Sequence, residues 1–479
     1  MKRKLIYIIT LVVSLTTIWS CDFDTNIYTA IEMEGAFESV QDIENAVHGA
    51  YRNVGYYPYR GNRVIAIGDM ASDISEASAS SGHFVAINTW TLNETTPDLL
   101  DVWTYAYKVI DQSTRGINAT LELLDSDNLL EGEDAKLESS LSQFYGLRAL
   151  AHFDLVNLFG LPYKVGGGNS QPGIVVVGND PIKEFQQVTR SSVEETYTQI
   201  LKDIESAKQY AGGELEEAAD KYYYLNEAAI YALEARVNLY MHRYDAAIVA
   251  AEEAIELRDS EGVNNQVYLS MWRDVVTTGE DIFTLKKSAD DNLSANALNT
   301  LYGSYGSKVS EFTKTRFEAT DIRSALVYTH RDYGNNHPGK YDGLTTAAAV
   351  SNIPVFRLSE MYLIIAEAEA RLGDDLIAAQ NALFYTAKRN TAITTVADLP
   401  ATQDELLDFI ADERVREFFV EGHRFYDLRR TGATATIAGD TNFEAAKFAF
   451  PIPSEEINSG FGVTQNENWS NNLPKPTGD

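Results

Sequence analysis

Two segments of the chain share one pattern of apolar and polar positions, a pair of helices joined by a short turn. The first covers residues 226–258, where small side chains such as Ala235 and Ala250 allow the two helices to approach closely. The second covers residues 357–389 and has the same helical spacing. Helix pairs of about 34 residues are typical of tetratricopeptide repeats. The pattern therefore predicts helical hairpins as the basic unit of the fold.

Helical spacing of apolar residues predicts further helices over 37–51, 98–124, 137–160 and 190–210. The last two are predicted to form a stretched hairpin, with the Pro- and Gly-rich segment 161–187 as its enlarged loop. The first two are candidates for another pair. Such repeats build a scaffold on which long insertions sit, so the predicted fold is mostly α.

Other stretches lack this periodicity. Residues 68–83 are small and polar, which predicts a loop or the edge of a strand, and residues 88–96 also have a loop-like composition. Between the two clear repeats lies the long segment 259–354, in which residues 280–286 indicate a short strand. A loop region of this length inside a compact domain is usually functional.

The segment 411–431 combines aromatic and charged residues at unusual density. Glu413, Glu417 and Glu421 recur at a spacing of four and share one side of a helix, which Gly422 is expected to end. Clustered Glu and Arg could form an acid/base site or a structural ion network. We interpret the segment as a mostly buried helix whose carboxylates pair with arginines.

Composition narrows the classes of protein. The 479 residues are 44% hydrophobic and 11% aromatic, which indicates a folded globular protein. The formal net charge of −31 repels nucleic acids and anionic lipid headgroups, so no nucleic-acid partner is expected. The 27 tyrosines are typical of hydrated binding surfaces, because a tyrosine tolerates water at one end and apolar packing at the other.

The beginning of the chain predicts a targeting signal. A basic start from Lys2 to Lys4 is followed by an apolar run over residues 5–19, too short for a comfortable membrane span. Cys21, the single cysteine of the sequence, follows directly after a small residue. We therefore predict that residues 1–20 are a lipoprotein signal peptide and that Cys21 is the site of lipid attachment, which anchors the protein to a membrane.

Motifs for enzyme chemistry are missing from the sequence. It contains no HExxH, no GxSxG, no P-loop and no dinucleotide-binding fingerprint, and one cysteine cannot form a thiolate zinc site. Sequence cannot test for a glycosidase pair of carboxylates, because their separation in space decides that chemistry. The prediction is a protein without catalytic activity, cofactor or metal.

Several ordered motifs are similar to those of one known family. They include FYGLRALAHFDLVNLFGLPY at 144–163, RLSEMYLIIAEAEARLGD at 357–374, ERVREFFVEGHRFYDLRRTG at 413–432 and PIPSEEINSGFGVTQNENW at 451–469. In these motifs the chain resembles the SusD/RagB family, the surface nutrient-binding lipoproteins of Bacteroidota. The resemblance implies a SusD-like fold with an N-terminal part at 21–225 and a C-terminal part at 226–479 in one body.

The resemblance also implies a location and partners. Such a protein is lipid-anchored in the outer membrane, exposed at the cell surface, and acts as the lid of a SusC-like TonB-dependent transporter. It passes the transporter an oligosaccharide or, in the RagB branch, a peptide. Glycan binding is the predicted function, and peptide binding is the alternative.

A glycan site needs flat apolar faces for sugar C–H groups beside polar groups for the hydroxyls. Trp90 is the first candidate, since the family places a stacking aromatic in this general region, and Asn88 in the same polar stretch is a candidate polar contact. Its alternative is a core tryptophan. Tyr302 and Tyr305 are candidates because they lie in the long insertion, and their alternative is ordinary loop packing. His83 is a further candidate beside the small-residue loop.

Overall fold

The chain folds mainly as helices that pack against their neighbours in sequence. The computed structural model describes residues 37–126, 129–164, 166–212, 221–344 and 346–476. Within these residues the α-helices are α1 (Val40–Val54), α2 (Arg63–Met70), α3 (Val85–Asn88), α4 (Pro97–Leu124), α5 (Glu133–Phe159), α6 (Val193–Gln209), α7 (Glu227–Tyr240), α8 (Tyr244–Arg258), α9 (Asn265–Ser270), α10 (Leu298–Tyr302), α11 (Glu311–Lys314), α12 (Leu358–Leu372), α13 (Leu376–Ala387), α14 (Gln403–Phe418), α15 (Arg424–Thr431) and α16 (Ser454–Asn458).

The predicted helix pairs are all present. Helices α7 and α8 form the first hairpin and α12 and α13 the second, and α8 packs against α12, so the two hairpins stack on each other. Helix α5 packs on α6, and α1 packs on α4, as the stretched and candidate pairs require. The mostly α fold is therefore confirmed.

Local chemistry sets several helix ends. Ser39 and Asp42 form a reciprocal capping box at the start of α1, and Ser192 and Glu195 form another at the start of α6. The Asp375 side chain accepts two backbone N–H groups at the start of α13. These caps satisfy N–H groups that have no partner inside the helix.

In the described part of the chain, the strands form four small antiparallel sheets, each of two strands. They are β1 (Ser75–Glu76) with β3 (Lys308–Val309), β2 (Asp281–Leu285) with β6 (Ile353–Arg357), β4 (Val327–His330) with β5 (Gly334–Pro338), and β7 (Thr434–Ile437) with β8 (Asp440–Glu444). Strand β2 confirms the strand predicted at 280–286. The pairing Ser75↔Val309 joins the N-terminal part of the chain to the long insertion.

Two loop predictions need correction. Residues 68–70 complete helix α2, and Asn88 is the last residue of α3. Their polar and small residues are compatible with a helix here because most of α2, including Gly68 and Asp69, is buried. Tertiary packing therefore outweighs local composition at these positions.

The segment 411–431 is a helix, a break and a second helix. Helix α14 ends at Phe418, and α15 begins at Arg424. Gly422 lies in the break with a φ of +81°, a backbone conformation that suits glycine. The helix therefore ends four residues before Gly422, and Glu421, predicted to share a helix side with Glu413 and Glu417, lies in the break.

Glycine is also required in this break for space. A Cβ atom on Gly422 would lie 2.8 Å from the Cα of Ile65, and one on Gly68 would lie 2.2 Å from the carbonyl oxygen of Gly422. The backbones of α2 and of the break therefore touch directly. The Gly422 N–H also donates to Asp69 Oδ1 at 3.0 Å, so this contact is hydrogen-bonded.

The carboxylates of the segment join a buried network that we call the ion-pair brace. It consists of Glu280, Arg323, Lys340, Arg357, Arg389, Glu413, Glu417 and Glu421. None of these side chains is more than 4% exposed. The predicted structural ion network is present, although all four cations of the brace come from outside the segment.

Glu417 lies at the centre of the brace. Its carboxylate contacts Arg357 at 2.8 Å and both Arg323 and Arg389 at 3.1 Å. Burial alone would raise the pKa of the Glu417 carboxyl, but the three guanidinium groups outweigh burial and hold that pKa below its usual range. The carboxylate therefore stays ionised inside the core.

Candidate ligand-binding surface

Trp90 is a core residue, so its prediction as an exposed stacking surface is wrong. The side chain is 5% exposed, and its ring contacts Phe443 and Phe448 at centroid distances of 4.7 and 4.9 Å. The residue has a left-handed backbone with a φ of 56° after the end of α3. The polar neighbours in sequence therefore say nothing about the direction of the ring.

Tyr302 is also buried, with 1% of the residue exposed. Its hydroxyl lies 3.2 Å from Ser75 Oγ and 3.4 Å from Asp69 Oδ2. It packs the insertion onto the N-terminal part and cannot stack on a ligand. For Tyr302 the alternative of ordinary packing applies.

Asn88 is occupied by the protein backbone. Its amide nitrogen donates to the carbonyl oxygens of Met70 at 2.9 Å and Ser75 at 3.0 Å, and its side-chain oxygen accepts the Ala77 N–H at 3.1 Å. These three bonds fasten strand β1 to α2. Asn88 therefore supports the neighbouring surface, and the structure gives it a positioning role.

His83 and Tyr305 do come together. Their rings stack with centroids 4.1 Å apart and an interplanar angle of 9°, and both residues are partly exposed. The pairing of β1 with β3 brings the two loops to the same place. Two of the five predicted residues thus form one flat, accessible surface.

Further aromatic residues continue from this pair through Arg63. The Arg63 guanidinium lies 5.0 Å from the Phe84 ring and 5.4 Å from the Tyr57 ring. Tyr57 contacts Tyr56 at 4.8 Å, and Tyr56 contacts Tyr105 at 5.5 Å. We call the set Tyr56, Tyr57, Arg63, His83, Tyr105 and Tyr305 the aromatic strip. Sequence reasoning missed its tyrosines, although the dense run of tyrosines at 56–59 was a visible signal.

The long insertion contains a cavity of about 400 Å³, which we call the insertion cavity. Tyr333 is its most exposed aromatic side chain, at 41%. The Tyr333 ring stacks on His330 with centroids 4.3 Å apart and an interplanar angle of 13°. Other residues that line the cavity are Arg273, Thr300, Ser304, Tyr328, His337 and Asp342.

The cavity adjoins the aromatic strip. Thr300 and Ser304 line the cavity, and Tyr305 of the strip follows directly in the chain. Tyr333 packs against Gly303, where a Cβ atom would lie 3.2 Å from the tyrosine ring. The 303–306 turn therefore separates two aromatic surfaces, and both belong to one candidate ligand-binding surface.

Asp342 organises the polar side of the cavity. It accepts hydrogen bonds from the Tyr328 hydroxyl at 2.8 Å and from His337 Nε2 at 2.8 Å, and Arg273 Nη2 lies 2.7 Å from its other oxygen. Burial would raise the pKa of Asp342, but these donors outweigh burial and lower it. Burial and the carboxylate together raise the pKa of Tyr328 to about 12, so this hydroxyl remains a donor.

The arrangement is suited to binding. Asp342 is the one carboxylate among the residues that line the cavity, so they do not form the pair of carboxylates that glycosidases use. Among the residues that the structure describes, no group of three His, Cys, Asp or Glu side chains is placed to hold a metal ion. In the same part of the chain, no helix combines the length and apolar character that crossing a bilayer requires.

Comparisons with known proteins agree with this fold. A family model described as "Starch-binding associating with outer membrane" matches residues 24–239, and the SusD family model matches residues 323–469. The chain is 23% identical to SusD-like protein P2 of Formosa agariphila, over 94% of this chain and 97% of the relative. It is 34% identical to the starch-binding protein SusD of Bacteroides thetaiotaomicron, over 25% of this chain and 22% of that protein.

Solved structures give the same answer for the fold. A SusD superfamily protein from Bacteroides vulgatus superposes with a TM-score of 0.80 and 26% identity, covering 90% of this chain and all of that one. One from Bacteroides thetaiotaomicron gives a TM-score of 0.78 at 23% identity, with the same coverage. The class is therefore a mostly α protein of helical hairpins with a SusD-like fold. The chain belongs to the SusD/RagB family.

Proposed function

We propose that the protein is a non-catalytic cell-surface protein that captures an oligosaccharide and passes it to a TonB-dependent outer-membrane transporter. The observation that carries the proposal is the exposed Tyr333 ring, stacked flat on His330 at the mouth of a polar cavity. Apolar sugar faces stack on aromatic rings while hydroxyls exchange hydrogen bonds with polar groups beside them. The starch-binding relative supports carbohydrate as the ligand class.

The aromatic strip extends the same surface. Its partly exposed His83–Tyr305 stack adjoins the cavity, and Arg63 lies over both Tyr57 and Phe84, the residue that follows His83. An oligosaccharide longer than the cavity would meet further rings on leaving it. His83 and Tyr305 therefore remain proposed ligand contacts, and Tyr333, His330 and Arg273 join them.

A panel of oligosaccharides and peptides tests the proposal. Isothermal titration of the purified protein with neutral and acidic oligosaccharides and with short peptides should show binding of at least one glycan. Binding of peptides without any glycan at millimolar concentration would favour the RagB-type alternative. Turnover of a bound oligosaccharide, followed by chromatography, would contradict the non-catalytic part.

Surface anchoring rests on Cys21, which lies outside the described residues together with the proposed signal peptide at 1–20. We propose that Cys21 carries the lipid. A Cys21→Ala variant should move from the outer-membrane fraction to the soluble fraction, as followed by immunoblotting. Co-purification of the wild-type protein with a TonB-dependent transporter from solubilised outer membranes tests the partner. Recovery of the protein without any transporter would contradict delivery.

A further inference from the structure

We propose that the insertion cavity recognises a sugar carrying an anionic group, a carboxylate or a sulfate ester. Arg273 would contact that group, and the cationic ring of His337 beneath it would add positive charge. The inference rests on the proposed glycan-binding function and names the class of glycan.

The hydrogen bonds of His337 identify the charged form of its ring. Its Nδ1 lies 3.2 Å from the Tyr302 carbonyl oxygen, and its Nε2 lies 2.8 Å from Asp342 Oδ1. A carbonyl oxygen and an ionised carboxylate can only accept, so each ring nitrogen must donate a proton. Only the doubly protonated imidazolium makes both bonds. The neutral ring would direct a lone pair at one of these oxygens inside a site where His337 is 3% exposed.

The negative charge of the cavity is already matched. Asp342 accepts from Tyr328 and His337, and it also pairs with Arg273. Two cations therefore face one carboxylate, which leaves the cavity with one net positive charge. This sign is the opposite of the formal −31 of the whole chain.

The remaining polar groups also favour an acceptor on the ligand. His330 Nδ1 accepts the backbone N–H groups of Asp332 at 3.1 Å and Tyr333 at 3.3 Å. This leaves the ring proton on Nε2 as a donor at the cavity. The Arg273 side chain is 57% exposed, so its guanidinium is reachable by a ligand. Carboxylates and sulfates only accept hydrogen bonds, and a guanidinium can meet two of their oxygens at once.

The groups around His337 come from every element packed against it. They are Tyr328 and His330 on β4, Tyr333 in the hairpin turn, Asp342 after the 339–341 turn, Arg273 beyond Asp342, and the Lys308–Glu76 pair at β3. Asp342 is the carboxylate that contacts the ring, at 2.8 Å from Nε2.

Matched ligands that differ only in charge test the inference. The probes are tetragalacturonate with its methyl ester, and a sulfated oligosaccharide with its desulfated form, titrated calorimetrically at about pH 6. We expect one anionic member to bind about tenfold more tightly than its neutral partner, as charge-assisted bonds require. Arg273→Gln should remove most of that difference. Arg331→Gln is the matched control, because Arg331 lies nearby, pairs with Asp332 and does not line the cavity.

A second variant tests the contribution of His337 at a fixed pH. His337→Gln removes the ring whose Nε2 lies 2.8 Å from Asp342 and should reduce the preference for the anionic probe. His48→Gln, at an exposed position on α1, is the control histidine. Melting temperatures identify any variant that loses its fold.

The outcomes distinguish the inference from the function on which it rests. If glycans bind but every one of them is neutral, or if the methyl ester binds as tightly as the acid, the inference is wrong and the proposed function stands. An unchanged acid-to-ester ratio in Arg273→Gln also overturns it. If no glycan of either charge binds, the proposed function itself fails.

Discussion

The ion-pair brace and the insertion cavity use the same chemistry in two settings. In the brace, Glu417 meets three arginines and every side chain of the network is at most 4% exposed. In the cavity, Asp342 likewise meets a cluster of donors, but its partner Arg273 is 57% exposed. A carboxylate enclosed by cations stabilises the fold, whereas one at an open edge orients cations that a ligand can reach. Exposure, more than residue type, separates structure from function here.

Removal of the central carboxylate of the ion-pair brace should cause the largest loss of stability. Glu417→Ala leaves Arg323, Arg357 and Arg389 with an uncompensated buried charge, so the free energy of unfolding should fall by about 3–5 kcal/mol. Chemical denaturation measures this loss. Asp408→Ala, at an exposed position of the same helix, is the control and should change stability by no more than about 0.5 kcal/mol. Equal effects of the two substitutions would contradict the brace.

Glu421 tests whether the brace and the ligand surface are separate. Glu421→Ala removes the partner of Lys340 at 2.6 Å and one partner of Arg357 at 2.8 Å, so stability should fall by about 3 kcal/mol. Glycan affinity of the folded fraction should remain unchanged, because Glu421 does not line the insertion cavity. A variant that melts normally yet loses glycan binding would disprove this separation.

Acid should destabilise the interior through two buried histidines. Burial lowers the pKa of His152 to about 3 and that of His423 well below its usual value. The unfolded chain therefore binds protons below pH 6.5 that the folded chain does not, and stability falls as the pH falls. Two such groups reduce the free energy of unfolding by about 2–3 kcal/mol between about pH 7.5 and 5.5.

Denaturation at a series of pH values measures this loss. In a His423→Gln variant, the part of the pH dependence of the free energy of unfolding that comes from the two histidines should fall to about half. Constant stability across the range would show that these histidines are protonated in the fold.

The smallest effect on free energy is expected for Tyr333, an exposed residue of the insertion cavity. Tyr333→Ala should weaken glycan binding by about 1 kcal/mol through loss of the stacking face, and should leave the melting temperature nearly unchanged because the ring is 41% exposed. Isothermal titration and thermal melting provide the two measurements. Phe185→Ala removes a ring that is 74% exposed elsewhere and should leave affinity unchanged. Undiminished affinity in Tyr333→Ala would exclude the ring as a ligand contact.

The fold could be predicted further than the surface, for a physical reason. Helices such as α7 and α12 carry their burial pattern in the local spacing of apolar residues, so the sequence alone indicates them. Glu417 could likewise be assigned to an ion network from its neighbours. Its partner Arg323 lies far away in the chain and could not be named.

The direction of a loop side chain depends on contacts that no local pattern records. Trp90 sits among polar neighbours, but a left-handed residue conformation and the Phe443 and Phe448 rings place it in the interior. Tyr333 reaches the surface because the β4–β5 hairpin presents it beside His330. The sequence could indicate the insertion as a candidate region, whereas the choice of particular rings required the three-dimensional arrangement.

The backbone contact between Gly68 and Gly422 bears on how the chain can be divided. The two glycines lie on either side of the boundary predicted at 225/226. Arg424 adds a pair with Asp73 at 2.8 Å across the same junction. If the chain were divided at 225/226 and the two fragments expressed separately, each would expose its side of this junction to water. The two parts are therefore best handled as one unit, and inserted tags or fusion partners belong elsewhere in the chain.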